Sequence, residues 1–210
     1  KIILKLKNPK FLLKNKEFNL SKFDLSLYLK SFYTSDFIIE KINIGFEKND
    51  IKDLTKITGI FLPRIINKQL DKIFVKGNLE GEFIIPFNKN GTVEKKYKFN
   101  GKVLEADINI NKNIKLNDLS FDIGFGGIKS INELKITIKK GSFFNVKLLE
   151  SFINIKFKDK NKIVKSSIHT KGNINSDEIK KILSLFKFTL DHFKKINLNA
   201  DLVTNINFSI

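Results

Sequence analysis

Apolar and polar residues alternate along most of this chain. Phe23, Leu25, Leu27 and Leu29 interleave with Asp24, Ser26 and Tyr28, and Ile42, Ile44 and Phe46 with Asn43 and Gly45. The same period of two runs through Leu79-Phe83-Ile85-Phe87, Leu104-Ala106-Ile108-Ile110, Leu119-Phe121-Ile123-Phe125 and Leu134-Ile136-Ile138. It returns in Phe144-Val146-Leu148, Ile153-Ile155-Phe157 and Ile196-Leu198-Ala200-Leu202. Such alternation predicts strands with one dry and one wet face, as antiparallel sheets have, and roughly eleven of them. Asn90-Gly91, between FIIPF and VEKKYKF, predicts a two-residue hairpin. Asn8-Pro9 and Asn161-Lys162 predict further turns between strands.

Helical spacing appears twice. From Asp50 to Ile73 the apolar set is Leu54, Ile57, Ile60, Phe61, Ile65, Ile66, Leu70 and Ile73. Gly59 and Pro63 divide it into two short helices. The second begins at Ser176 as N-cap, with Asp177 and Glu178 in the first turn and Ile179, Ile182, Leu183 and Phe186 behind them. A weak internal repeat accompanies these elements. FNLSKFDLSL (18–27) and IKLNDLSFDI (114–123) place apolar residues at the same five positions, and each is followed by strands and then a helix.

So many half-apolar strands and so few helices pose a packing problem. A sheet with one greasy face must bury it against a second sheet, by closing into a barrel, or by curling into a trough that holds a ligand. On periodicity alone the sandwich or closed barrel is the simplest reading.

Composition narrows the chemistry. The chain has 210 residues, 41% apolar and 29% charged, which excludes disordered and collagen-like classes. The absence of cysteine removes disulfides, thiolate metal sites and cysteine nucleophiles. A chain that opens at Lys1 and lacks methionine reads as a piece of a longer protein. The formal charge is +17, yet of 39 basic residues only Arg64 is arginine. Nucleic-acid readers lean on arginine, whose planar fork grips phosphate and guanine. The lysine excess therefore reads first as a solvated face, with attraction to anionic surfaces second.

No catalytic constellation is visible. His169 and His192 are separated by a helix and have no third ligand. Neither a Gly-x-Ser-x-Gly elbow nor a P-loop is present. The cluster Gly124-Phe125-Gly126-Gly127 ends a strand before another strand, so it predicts a turn or bulge and not a dinucleotide fingerprint. Asp118, Asp122 and Glu133 are scattered among lysines. No enzyme activity, cofactor or metal is expected.

The order of certain segments resembles a known family. LPRIINKQLDKIFVKGNLEGEF (62–83) gives a short helix after Leu-Pro and then a G-x-L-x-G-x-F strand. FNGKVLEADINI (99–110), the L-x-D-L-S-F-D-I strand (116–123), ITIKKGSFFNVKLLESFINIKF (136–157) and SIHTKGNINSDEIKKIL (167–183) follow. This arrangement resembles the AsmA-like superfamily of bacterial envelope proteins, in particular the YhdP type with its DUF3971 region, and more distantly TamB.

The resemblance implies a mainly β fold, a large curled antiparallel sheet (a β-taco or groove) with two or three short helices. It implies that residues 1–210 form one continuous segment of a larger periplasmic protein anchored in the inner membrane. Two similar strand-plus-helix halves, about 1–73 and 74–210, remain open within it. The implied role is a conduit for phospholipid acyl chains between inner and outer membranes, without nucleic acid. The apolar parity would line the groove: Leu25, Leu27, Ile42, Ile44, Phe46, Phe83, Ile85, Ile108, Ile110, Phe121, Ile123, Ile136, Ile138, Ile153, Ile155 and Phe157. The alternative is a structural or adhesive β-domain with a closed core and a basic surface; nucleic-acid binding ranks below it.

Overall fold

A computed structural model describes residues 2–13, 16–28, 38–58, 72–94, 96–111, 114–128, 131–158, 161–184 and 197–209. Its strands are β1 (Ile2–Lys7), β2 (Lys10–Leu13), β3 (Lys16–Leu27), β4 (Ile39–Asp50), β5 (Phe74–Pro86) and β6 (Lys98–Asn109). The rest are β7 (Lys115–Ile128), β8 (Ile131–Phe143), β9 (Val146–Leu148), β10 (Ser151–Lys158), β11 (Asn161–Asn175) and β12 (Asn197–Ser209). Two short helices, α1 (Ile51–Thr58) and α2 (Ser176–Ser184), complete the described elements. All strands belong to one 12-stranded antiparallel sheet in the order β1-β3-β4-β5-β6-β7-β8-β10-β11-β12. Strand β2 follows β1 along β3, and β9 lies between β8 and β11 in line with β10.

Among the described residues β1 and β12 do not meet and no second sheet lies across the first. The sandwich and the closed barrel are therefore both set aside. The fold is a single open antiparallel sheet. Its two helices occupy one end, here the helical end, because β4 and β11 run in the same direction and each leads straight into a helix. The hairpins β5–β6, β7–β8 and β10–β11 turn at the opposite, far end.

Both helices start on a side-chain cap. Asp50 Oδ1 accepts the backbone N–H groups of Lys52 and Asp53 at 2.8 and 3.3 Å. Asn175 Oδ1 accepts those of Asp177 and Glu178 at 3.1 and 3.0 Å, while Glu178 Oε2 accepts the Asn175 N–H at 2.9 Å. This reciprocal box makes Asn175, not Ser176, the N-cap of α2. Of the two expected helical runs, residues 59–71 and 185–196 lie outside the described residues.

Several local expectations need correction. Asn8-Pro9 does not reverse the chain: β1 and β2 both pair with β3, so the dipeptide is a kink in one edge, with Asn8 at φ 47°. The turn at Asn90-Gly91 has three loop residues, since Asn88 N–H donates to Thr92 O at 2.9 Å and Gly91 takes a φ of 74°. That is a type I turn closed by a left-handed glycine. Asn161 and Lys162 are the first residues of β11, paired with Lys158 and Phe157. Gly124 and Gly126 sit in regular register within β7, opposite Lys135 and Glu133, so the glycine cluster is neither turn nor bulge.

Bulges do occur, in a band near the helical end. Register shifts interrupt β5–β6, β6–β7 and β7–β8, and Glu105 and Asp118 there take φ of 53° and 49°. A bulge adds one residue and bends its strand. Gly77 lies in the same band at φ 139°, where a Cβ would come within 2.9 Å of Ala106 Cα. The Glu105 bulge also changes which residue faces inward. Val103, 2% exposed, shares the apolar face with Ala106 and Ile108, whereas Leu104 pairs with Asn78 on the other face. The expected parity of Leu104 is thus reversed.

The core sits at the helical end. Ile51 of α1 packs with Val103, Ala106, Leu119, Phe121, Ile138 and Leu148. Asn49, 7% exposed, replaces missing ladder bonds beside it: its side chain exchanges two 2.9 Å hydrogen bonds with the Asn19 backbone.

Candidate functional site

Residues directly opposite in an antiparallel ladder share a face. Following the register across the sheet gives one uninterrupted apolar row. It runs Leu6–Phe23–Ile44–Phe83–Phe99–Phe125–Leu134–Ile155–Val164–Phe208, from β1 to β12. With strands about 4.8 Å apart the row is roughly 40 Å wide. No polar residue interrupts it. Its ends, Leu6 and Phe208, are 54% and 44% exposed, and the members between them are half-buried.

A second row lies one step nearer the helices: Leu20–Phe46–Gly81–Gly101–Ile123–Ile136–Ile153–Ser166–Ile206. One step further in that direction come Leu79, Val103, Phe121 and Ile138, the last three buried. In the other direction, Leu25, Ile42 and Ile85 form a row at the far end. Leu27 and Phe157 follow the same parity on β3 and β10, and Ile108 packs against the helical-end core.

All expected lining residues therefore share one face except Ile110. That residue lies past the end of β6 and is 52% exposed. The chain turns there because Ile110 N–H donates to Ile114 O at 3.0 Å and Asn111 Oδ1 accepts the Ile114 N–H at 2.7 Å. The register adds Phe99, Leu134 and Val164 to the face, along with Tyr97, which stacks on Phe125 at 5.4 Å between ring centroids. Phe83 meets both Tyr97 and Phe99 edge to face at 6.1 and 6.2 Å. The alternation in YKF (97–99) was the signal for two of them.

The opposite face is an ion-pair lattice. Lys22 Nζ lies 2.7 Å from Glu82, Lys102 3.6 Å from Glu80, Lys139 3.6 Å from Asp122, and Lys140 3.1 Å from Asp118. The hydrogen bond from Lys22 holds the Glu82 carboxyl below its ordinary range; burial opposes this, and Asn43 and Lys41 add to it. Glu133 is likewise lowered, first by the Asn154 hydrogen bond and, against burial, by Lys135 and Lys156. A depression of about 800 Å³ lies on this face, where Gly45 and Gly124 carry no side chain, with Lys22, Glu80, Glu82 and Lys102 around it. The scattered carboxylates are thus lysine partners. His169 also meets a carboxylate: its Nε2 lies 2.5 Å from Asp201, which also meets Lys171 at 3.1 Å. Those contacts, led by the His169 hydrogen bond, lower Asp201 below the usual aspartate range.

Asp107 is the most enclosed carboxylate of this set, 8% exposed. It accepts Lys115 Nζ at 2.8 Å and the Asp118 backbone N–H at 3.1 Å, with Lys76 Nζ at 3.7 Å. Burial raises its pKa, but the Lys115 hydrogen bond, the Asp118 N–H and the two ammonium charges outweigh it, so the net direction is down. It pins the strands on either side of the bulges. Among the described residues no group of three His, Asp or Glu side chains gathers as a metal site. No helix among them is long and apolar enough to cross a membrane. His192 lies outside the described residues.

No family model matches the chain, and no curated protein or solved structure matches it.

Proposed function

We propose that the apolar face is a groove for phospholipid acyl chains and that the chain is a segment of a lipid conduit in the bacterial envelope. The observation that carries this reading is the uninterrupted row from Leu6 to Phe208 on a sheet with no second sheet over it among the described residues. Acyl chains are held by area, at about 25 cal/mol per Å² buried, without precise polar partners. A wide wall of Phe, Ile, Leu and Val suits them, whereas a catalytic site would need converging polar groups. The lysine-rich opposite face keeps the sheet soluble and favours acidic headgroups at its margins.

In this reading the segment belongs to the periplasmic body of a protein anchored in the inner membrane, with inner and outer membranes as donor and acceptor. It works without cofactor and does not bind nucleic acid. The alternative, a structural or adhesive domain, was drawn with a closed core, and the single open sheet of the described residues favours the groove over it.

Mass spectrometry of an organic extract from the purified protein tests the proposal. Phospholipid in stoichiometric amount is the expected result. A lipid-free preparation that also takes up none from vesicles would refute it.

A further inference from the structure

Between β5 and β11 the apolar face has two unlike borders. On the helical side it runs into Val103, Phe121 and Ile138, which are buried in the cluster that Ile51 joins. On the far side, residues of the same parity become amphipathic. Tyr97 comes two residues before Phe99, its ring stacked on Phe125 and in edge-to-face contact with Phe83. Phe157 pairs with Lys162, an exposed residue two positions before Val164. A tyrosine has an apolar body and a polar tip, and a lysine lays its stem on apolar surface while its ammonium stays in water.

The strip between these borders has a definite width. Six residues separate Tyr97 from Val103, and β6 pairs with β7 without a shift from Lys98↔Gly126 to Val103↔Phe121. The strip is therefore roughly 20 Å across. An acyl chain fills one leaflet, about half of a hydrocarbon core of about 30 Å. One tail thus fits along the strands with room for its ester group. The phosphate, costly to bury, then belongs at the far border.

We propose that phospholipids lie on this strip with their tails along the strands, headgroups at the far border beside Tyr97 or Lys162, and terminal methyls against the core of Val103, Phe121 and Ile138. This orientation rests on the acyl-chain reading above and adds to it a direction for the tail and a place for the headgroup. The opposite orientation would press a phosphodiester against an apolar core. Tyr97 and Lys162 stand four strand spacings apart, roughly 19 Å, so each anchors a different lipid. Successive lipids then stand side by side across the strands.

Two photoreactive phosphatidylglycerols test the orientation in the 210-residue protein, one with a diazirine beside the ester and one with it at the terminal methyl. The ester-proximal probe is expected to label Ile85, Tyr97 and Phe157, and the terminal probe Ile123, Ile136 and Ile153. Labelling in the reverse order, or the same residues labelled by both probes, would overturn the orientation while the acyl-chain reading stands. No labelling of the apolar face by either probe would overturn both.

The anchors are tested one at a time with the ester-proximal probe. Lys162→Ala is expected to lower labelling of Phe157 about fivefold and leave that of Ile85 unchanged. Tyr97→Phe, which keeps the ring and removes the hydroxyl, is expected to lower labelling of Ile85 and leave that of Phe157 unchanged. Lys102→Ala, on the ion-paired face, is expected to change neither. Equal loss at Phe157 in Lys162→Ala and Lys102→Ala would show a bulk charge effect and overturn the placement of the headgroup.

Discussion

The same apolar face is a closed core at the helical end and an open wall at the far end. Ile138 lies beside Phe121 and is 6% exposed, in the cluster that Ile51 of α1 joins. Ile155, on the neighbouring strand β10, sits in the long row between Leu134 and Val164 and is only half-buried. Both are isoleucines at mid-strand on one parity. What separates them is the bulge band: Ile138 belongs to the buried cluster that forms there, and Ile155 lies outside that cluster. One end supplies stability, and the other keeps the area that the proposed function needs.

That contrast sets the largest expected effect. Ile138→Asp buries a carboxylate without a partner, which costs several kcal/mol out of a total of about 5–15. It is expected to abolish the cooperative melting transition or soluble expression. Ile155→Asp leaves its carboxylate within reach of water and the ladder intact. It is expected to lower the melting temperature modestly while removing much of the bound lipid. Equal collapse in both variants would show that the far end is as closed as the helical end.

Asp107 sharpens the picture of how the bulge band is held. Its ionised form is favoured in the fold, so its contribution is complete above the ordinary aspartate pKa and is lost as pH falls through the lower, folded value. Asp107→Asn is expected to flatten the acid limb of a stability–pH curve measured by urea unfolding. Asp107→Ala also strands the Asp118 N–H, at a cost of about 1–3 kcal/mol near neutrality. A smaller effect is expected at the α2 cap. Asn175→Ala, which removes two accepted N–H bonds, is expected to cost about 1 kcal/mol and leave lipid content unchanged.

Alternation named nine of the twelve strands, all but β1, β2 and β11, and with them the packing problem and nearly all of the apolar face. It could not place the bulges, although their trace was present. In 18–27 and in 114–123 the apolar residues step by two, then three, then two, and both strands shift register at the step of three: Leu20/Lys22 in β3 and Asn117/Ser120 in β7. The repeat between those segments is therefore in part a shared bulge. Val103 and Leu104 are both apolar, so parity alone could not choose between them; the left-handed Glu105 decides it. Ile110 continued the alternation but fell where Asn111 turns the chain. The long apolar row depends on pairing between strands distant in sequence, which no local pattern reports. The polar-face depression depends on two glycines, Gly45 and Gly124, brought near each other only by that pairing.

The most direct test of the open wall is photolabelling with a phospholipid that carries a diazirine on its acyl chain, with adducts located by peptide mass spectrometry. Adducts are expected at the far end of the apolar face, at Phe83, Phe99, Phe125 and Ile155, and not at the buried Val103 or Ile138. Adducts confined to the ion-paired face around Lys22 and Glu82, or labelling spread equally over both faces, would contradict the account.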